Sequence, residues 1–158
     1  MATRQSGSQE LAVLEVDLTV DTNAYASGDL IGAKLSLTVP YWQAGDTTGF
    51  LIKSVSLKDL SKQNAAIDVV FFHANPSGTT FTDNAALDIA DADLANVAGF
   101  AQVTTYASFN DNSYGQASNL ALPVIMPAGA TLYACLVSRG TPTYAASDLS
   151  LRVGIGRA

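Results

Sequence analysis

From Leu11 to Val20 the chain reads LAVLEVDLTV and keeps strict parity: Leu14, Val16, Leu18 and Val20 on one side, Glu15, Asp17 and Thr19 on the other. Side chains alternate faces along a strand, so this segment buries one face and wets the other. The period returns in Leu30–Val39, where Ile31, Ala33, Leu35, Leu37 and Val39 alternate with Lys34, Ser36 and Thr38, and again in Asp148–Ile155. A chain patterned this way from one end to the other is constrained to stack sheets. It carries one histidine, His73, and one cysteine, Cys135. So few candidate bases and nucleophiles suit a structural or binding part better than an enzyme, and no catalytic residue and no cofactor are expected.

Turn signals punctuate the strands. Asp21, Asn23, Ser27, Gly28 and Asp29 follow the first, Pro40 stops the second, and a third is expected over Phe50–Lys58. Asp68–His73 (DVVFFH) is apolar on both parities, which predicts a central strand covered on both faces. Asn75-Pro76-Ser77-Gly78 is a turn. The stretch TDNAALDIADADLANV that follows reads as a loop with one helical turn beginning near Asp91. Further strands are expected over Gly99–Tyr106, Gln116–Ile125, Thr131–Ser138 and the final segment, with Pro127–Gly129 as a hairpin turn. About eight strands spaced by turns predict an antiparallel β-sandwich. The connection through residues 75–98 is too long for a hairpin and is expected to cross between sheets, which favours a jelly roll. Residues 1–10 show no periodicity and are expected to form an N-terminal arm, with residues 11–158 as one sandwich domain.

Charge is scarce. Charged residues make up 14% of the chain, against about 25% in an ordinary globular protein, and Ser, Thr, Asn and Gln fill the polar positions. Such a surface loses less to desolvation when it is buried in an assembly. The formal net charge is −6, and no Lys or Arg occurs from Gln63 to Ser138, although six aspartates do. Nucleic-acid binding needs a cationic footprint, so no nucleic-acid partner is expected. The Lys53–Lys58–Lys62 group contains Asp59. The start MATRQSGSQE has no apolar stretch of the signal-peptide kind, no run approaches the length of a membrane span, and a single cysteine forms no intrachain disulfide. A cytoplasmic origin and no membrane partner are the expectation, which a virion component assembled in a host cell would satisfy.

Several stretches resemble small structural proteins of tailed bacteriophages: DTNAYASGDLIGAKLSL at Asp21–Leu37, the segment from Ser54 to Leu94, and the ending MPAGATLYACLVSRGTPTYAASDLSLRVGIGRA. They cover well over half of the chain, in order. The resemblance implies a capsid auxiliary or decoration protein on the outer capsid surface, with the major capsid protein and its own copies as partners, a trimer preferred over a dimer. It brings no catalytic site. The loop Pro40–Thr48 departs from the pattern.

Each candidate site has a plain structural alternative. Tyr41 and Trp42, beside Pro40 at an expected loop tip, are candidate contact residues for a protein or a sugar; alternatively Trp42 folds back to cap the sandwich. Arg4, the first charge of the arm, is a candidate for pairing with acidic groups on a capsid. Asp83, Asn84, Asp88, Asp91 and Asp93 bring oxygen ligands within eleven residues, so Ca²⁺ is considered; the EF-hand spacing fails, and a solvated turn is the default. No metal site is therefore assigned. His73 has no triad partner at usable spacing, and Cys135 in TLYACLV reads as a buried small hydrophobe. Gly154–Gly156 and the Gly28–Gly32 spacing lack the strand–helix setting of a phosphate loop. The alternative function is a carbohydrate-binding jelly roll, free or displayed on a virion.

Overall fold

The computed structural model describes residues 11–40, 48–127 and 129–157. Ten strands run in chain order: β1 Leu11–Asp17, β2 Leu30–Thr38, β3 Thr48–Asp59, β4 Ile67–Phe72, β5 Val97–Val103, β6 Tyr106–Ser108, β7 Ser113–Ala117, β8 Leu122–Met126, β9 Thr131–Ser138 and β10 Leu149–Arg157. The described helical structure is one 3-10 helix, Asp91–Asn96, which is too short to cross a membrane.

The pairing follows a simple rule. β1 pairs with β10, β2 with β9, β3 with β8 and β4 with β5, all antiparallel. The chain is thus one long two-stranded ribbon, closed at the β4–β5 connection. Rolling that ribbon adds β10 to β3, β9 to β4 and β7 to β3. The result is a six-stranded sheet, β1-β10-β3-β7-β6 with β8 also on β3, facing a four-stranded sheet, β2-β9-β4-β5. This is a jelly roll.

The even parity of β1 turns inward as the alternation requires: Ala12, Leu14 and Val16 are half-buried, and Leu18 and Val20 are buried. Past Asp17 the chain stays tied to the sheet, because Leu18 N–H donates to the Leu149 carbonyl and Val20 N–H to that of Ala146. The inward residues of both sheets, among them Phe50, Val55, Leu57, Val69, Phe71, Leu136, Leu151 and Val153, form one core between the layers.

Four expectations are corrected. The sandwich has ten strands instead of eight because two expected strands divide: Gly99–Tyr106 falls in β5 and β6, and Gln116–Ile125 in β7 and β8, where Asn119 takes a left-handed φ of 58° and turns the chain from β7, where Val55 faces Ala117, to β8, where Ile52 faces Leu122. Pro127–Gly129 joins β8 to β9 across sheets and is no hairpin, since those strands do not pair. The long connection through residues 75–98 does not change sheets; it closes the β4–β5 pair and folds back on that sheet. Within β2, Ala33 is exposed, because a bulge between Ile31 and Leu35 inserts two residues relative to β9. Gly32 makes the bulge possible: its φ is +74°, and a Cβ there would lie 3.3 Å from the Thr19 carbonyl oxygen.

Candidate functional site

The two sheets differ on their outer faces. The four-stranded sheet is apolar on its inner side and over part of its outer side, as the double-parity pattern of β4 requires, while Asp68, bonded to Arg139 and Gln102, lies outward beyond that part. Leu30, Phe72 and Cys135 are fully buried on its outer side, and Phe81, Leu87 and Ile89 from the β4–β5 connection pack over them, with Val97 at the start of β5. Phe72 and Phe81 meet edge to face at 6.3 Å. Lys34 lies across the rim, its Nζ 5.7 Å from the Phe81 ring and 5.4 Å from that of Tyr133, and it donates to Asn75 Oδ1.

Aspartates hold this cover down. Asp83 Oδ2 accepts the backbone N–H of Asp21 at 2.7 Å, and Oδ1 accepts both the Tyr25 hydroxyl and the Gly32 N–H at 2.7 Å. The buried Asp93 accepts from Gly78 N–H and the Thr79 hydroxyl through Oδ2, and from the Asn96 amide through Oδ1. N–H and O–H groups therefore occupy the oxygens that a Ca²⁺ ion would need, while Asp88 and Asp91 point to solvent as exposed residues. Among the described residues no group of three or more acidic, His or Cys side chains is placed to hold a metal. His73 closes the same unit: its N–H donates to the Asn96 carbonyl, and Nε2 donates to that of Ala95 at 3.2 Å. Burial pushes the Cys135 thiol up to about 12. A thiol so placed supplies no thiolate near neutral pH.

The outer face of the six-stranded sheet carries no cover among the described residues. Register sets its rows. Glu15 faces Arg152, Arg152 faces Ser56, and Ser56 faces Gln116; one step along, Lys58 faces Tyr114, which faces Ala107. Glu15 neutralises two cations, Lys58 at 3.0 Å and Arg152 at 3.4 Å. Ser56 and Ser150 form a buried floor. Two hollows share Tyr114 and Gln116. One, of about 470 Å³, lies where β5 passes into β6 and is lined also by Gln102, Thr104, Thr105 and Ser118. The other, of about 200 Å³, lies over Ser54, Ser56 and Gly154 beside Arg152.

This face was not singled out from sequence, although the outward parity of SYGQA and LSLRVGIG marks it. The residues that were singled out for contacts, Arg4, Tyr41 and Trp42, lie outside the described residues. The three lysines do not form one patch: Lys58 is paired with Glu15, and Lys62 Nζ donates to the Asn110 carbonyl on another loop.

No protein-family model matches the chain, and no curated protein matches it. Among solved structures, it is similar to the VP1 pentamer of human polyomavirus 6, with 9% identity and a TM-score of 0.26 over 99% of this chain and 97% of that one. It is also similar to a point mutant of VP2 of infectious bursal disease virus, in T=1 particles, with 12% identity and a TM-score of 0.20 over 92% of this chain and 39% of that one. Both overlays are loose, and the jelly-roll assignment rests on the strand order.

Proposed function

We propose that this chain is a structural virion protein and not an enzyme: a decoration or cement subunit on the outer capsid surface, assembled in the host cytoplasm. It would bury area across joints between neighbouring major capsid protein subunits and so raise the energy needed to separate them.

One observation carries this reading. The three stretches that resemble phage structural proteins are scattered in sequence but meet in space. Asp21–Leu37 supplies the turn and β2, Ser54–Leu94 supplies β4 and most of its cover, and the ending supplies β9 and β10. Asp83 of the second bonds to Asp21, Tyr25 and Gly32 of the first, and Leu30 of the first faces Val137 of the third. The three stretches thus pack on one another through β2, β4 with its cover and β9, and run on into β3 and β10 of the other sheet. The low charge and the saturated aspartates support the same reading.

Self-association as a trimer belongs to the proposal. Leu11, Val13, Phe100 and Ile125 are exposed, Leu11 and Val13 on edge strand β1, and apolar groups left on a small surface favour pairing with further copies. Arg4, Tyr41 and Trp42 remain the candidate capsid contacts. The deciding experiment is quantitative mass spectrometry of purified virions. Hundreds of copies per particle would support a shell protein; a dozen or fewer would place the chain at a vertex or tail, and absence would end the proposal. Light scattering at micromolar concentration and on the particle tests the trimer.

A further inference from the structure

We infer that the outer face of the six-stranded sheet binds a neutral oligosaccharide, in the two hollows that meet at Tyr114 and Gln116. The inference does not rest on the virion reading, and it moves the sugar hypothesis from Trp42 to a different surface.

The lining chemistry selects the ligand. The larger hollow is lined by amides, hydroxyls, methyl groups and one phenol ring, with no charged side chain. An anion or a cation would gain nothing there and would lose its hydration. The smaller hollow contains Arg152, whose charge is shared with Glu15 at 3.4 Å, so it too offers donors without a free cation. Protein contacts are centred on apolar and aromatic clusters, and the two hollows hold Val13 as their one large aliphatic group, the exposed Leu11 and Ile125 of the same sheet lying outside their lining. A sugar is the complementary ligand: its C–H faces stack on a half-exposed ring such as Tyr114, and its hydroxyls pair with Gln, Thr and Ser.

Register explains the shape. Tyr114 and Gln116 share the outward parity of β7; Ala107 is a short neighbour of Tyr114 on β6 and Ser56 of Gln116 on β3, while Lys58 flanks Tyr114 on β3. On β10, Gly154 faces Ser54, and a Cβ at Gly154 would collide with the Ser54 hydroxyl, so the floor stays low there. Two hollows on either side of one Tyr–Gln ridge suit a chain of several sugar units better than a single ring. The larger hollow is lined by no carboxylate, whereas glycoside cleavage most often uses a pair, so the site is proposed to bind without cutting.

The test is binding of the full-length labelled protein to an array of neutral and acidic glycans, followed by ¹H–¹⁵N titration with the best neutral oligosaccharide. We expect shifts at residues 104–118, with Tyr114→Ala and Gln116→Ala each weakening binding about tenfold or more. Tyr114→Phe, which keeps the ring, should bind within a few-fold of the parent, as should Leu94→Ala on the opposite sheet's cover. Melting temperatures of all four variants report whether the fold is intact. No neutral glycan bound, binding confined to acidic glycans and abolished by salt, or affinity unchanged in both alanine variants would each overturn the inference. Copy number in virions would be untouched by any of these outcomes, so the two readings fail separately.

Discussion

The two sheets are rolled from one ribbon, yet their outer faces differ in what lies over them. Over the four-stranded sheet, Leu30, Phe72 and Cys135 are sealed by the protein's own longest connection. On the six-stranded sheet, the corresponding surface is Ser, Gln, Tyr and a three-membered ion cluster, with Leu11, Val13 and Ile125 exposed toward its margins. The difference is written in the strands themselves: β4 and β9 are apolar on both parities, whereas the outward positions of β3 and β10 are Ser54, Ser56, Lys58, Ser150, Arg152 and Gly154. The ribbon's closed end folds over the face that water would otherwise wet. One face contributes stability, and among the described residues nothing covers the other.

If that contrast is correct, truncation on the covered face should be the most damaging. Phe72→Ala removes a fully buried ring and is expected to cost about 3–5 kcal/mol in urea unfolding. Ser54→Ala on the bare face should stay within about 0.5 kcal/mol. A small effect of Phe72→Ala would mean that the connection is not packed on the sheet.

The cover can next be loosened without touching its apolar residues. Asp83→Ala removes the acceptor of the Gly32 N–H and the Tyr25 hydroxyl, while the Asp21 N–H keeps its bond to the Tyr25 hydroxyl oxygen at 2.9 Å. We expect a loss of about 2–3 kcal/mol, since hydrogen bonds to a charged acceptor are the stronger kind. Limited proteolysis should then cut within residues 79–96 well before the rest unfolds. Cleavage elsewhere first would break the assignment of Asp83 as the tie.

Titration sharpens the same contrast. Burial raises the hydroxyls of Tyr25, Tyr106 and Tyr144 above the ordinary tyrosine value, with the Asp83 charge adding at Tyr25 and Asp59 at the other two. The folded state therefore holds these protons more tightly than the unfolded chain. Their contribution is complete below about pH 10, the unfolded tyrosine value. It declines as pH rises above that, so the melting temperature should fall from there upward. Cys135, with its thiol pushed up to about 12, should resist a disulfide reagent at pH 8 until the cover opens, and Asp83→Ala should speed its labelling.

Much of the scaffold was legible because its signals are local. The parity of β1, the two-faced β4, the bounds of β9 and the helical turn at Asp91 all follow from neighbouring residues. What escaped depends on partners far along the chain. The bulge at Gly32–Lys34 answers to Asp83 and Leu18, and the break at Asn119 answers to β3, which pairs with β8 on one side of it and β7 on the other. Asp83 and Asp93 read locally as solvated turn residues; their actual donors lie as far as 62 and 15 residues away in sequence. The outward parity of Tyr114, Gln116 and Arg152 was visible, but nothing local tells which sheet the long connection will cover.

The smallest effect expected is on the bare face itself. Glu15 pairs with Lys58 and Arg152, and all three side chains are about 40% exposed. Exposed ion pairs contribute little because water screens them and two long side chains must be ordered. Glu15→Gln should therefore change stability by less than about 1 kcal/mol. Its electrostatic effect is larger: it leaves Lys58 and Arg152 without their shared carboxylate, on a face where Asp17 is bound to the Ser150 hydroxyl. The variant should keep its melting temperature while gaining salt-sensitive retention on an anionic resin such as heparin. A large loss of stability would show that the ion cluster holds β1 to the sheet; the bare face would then be structural, like the covered one.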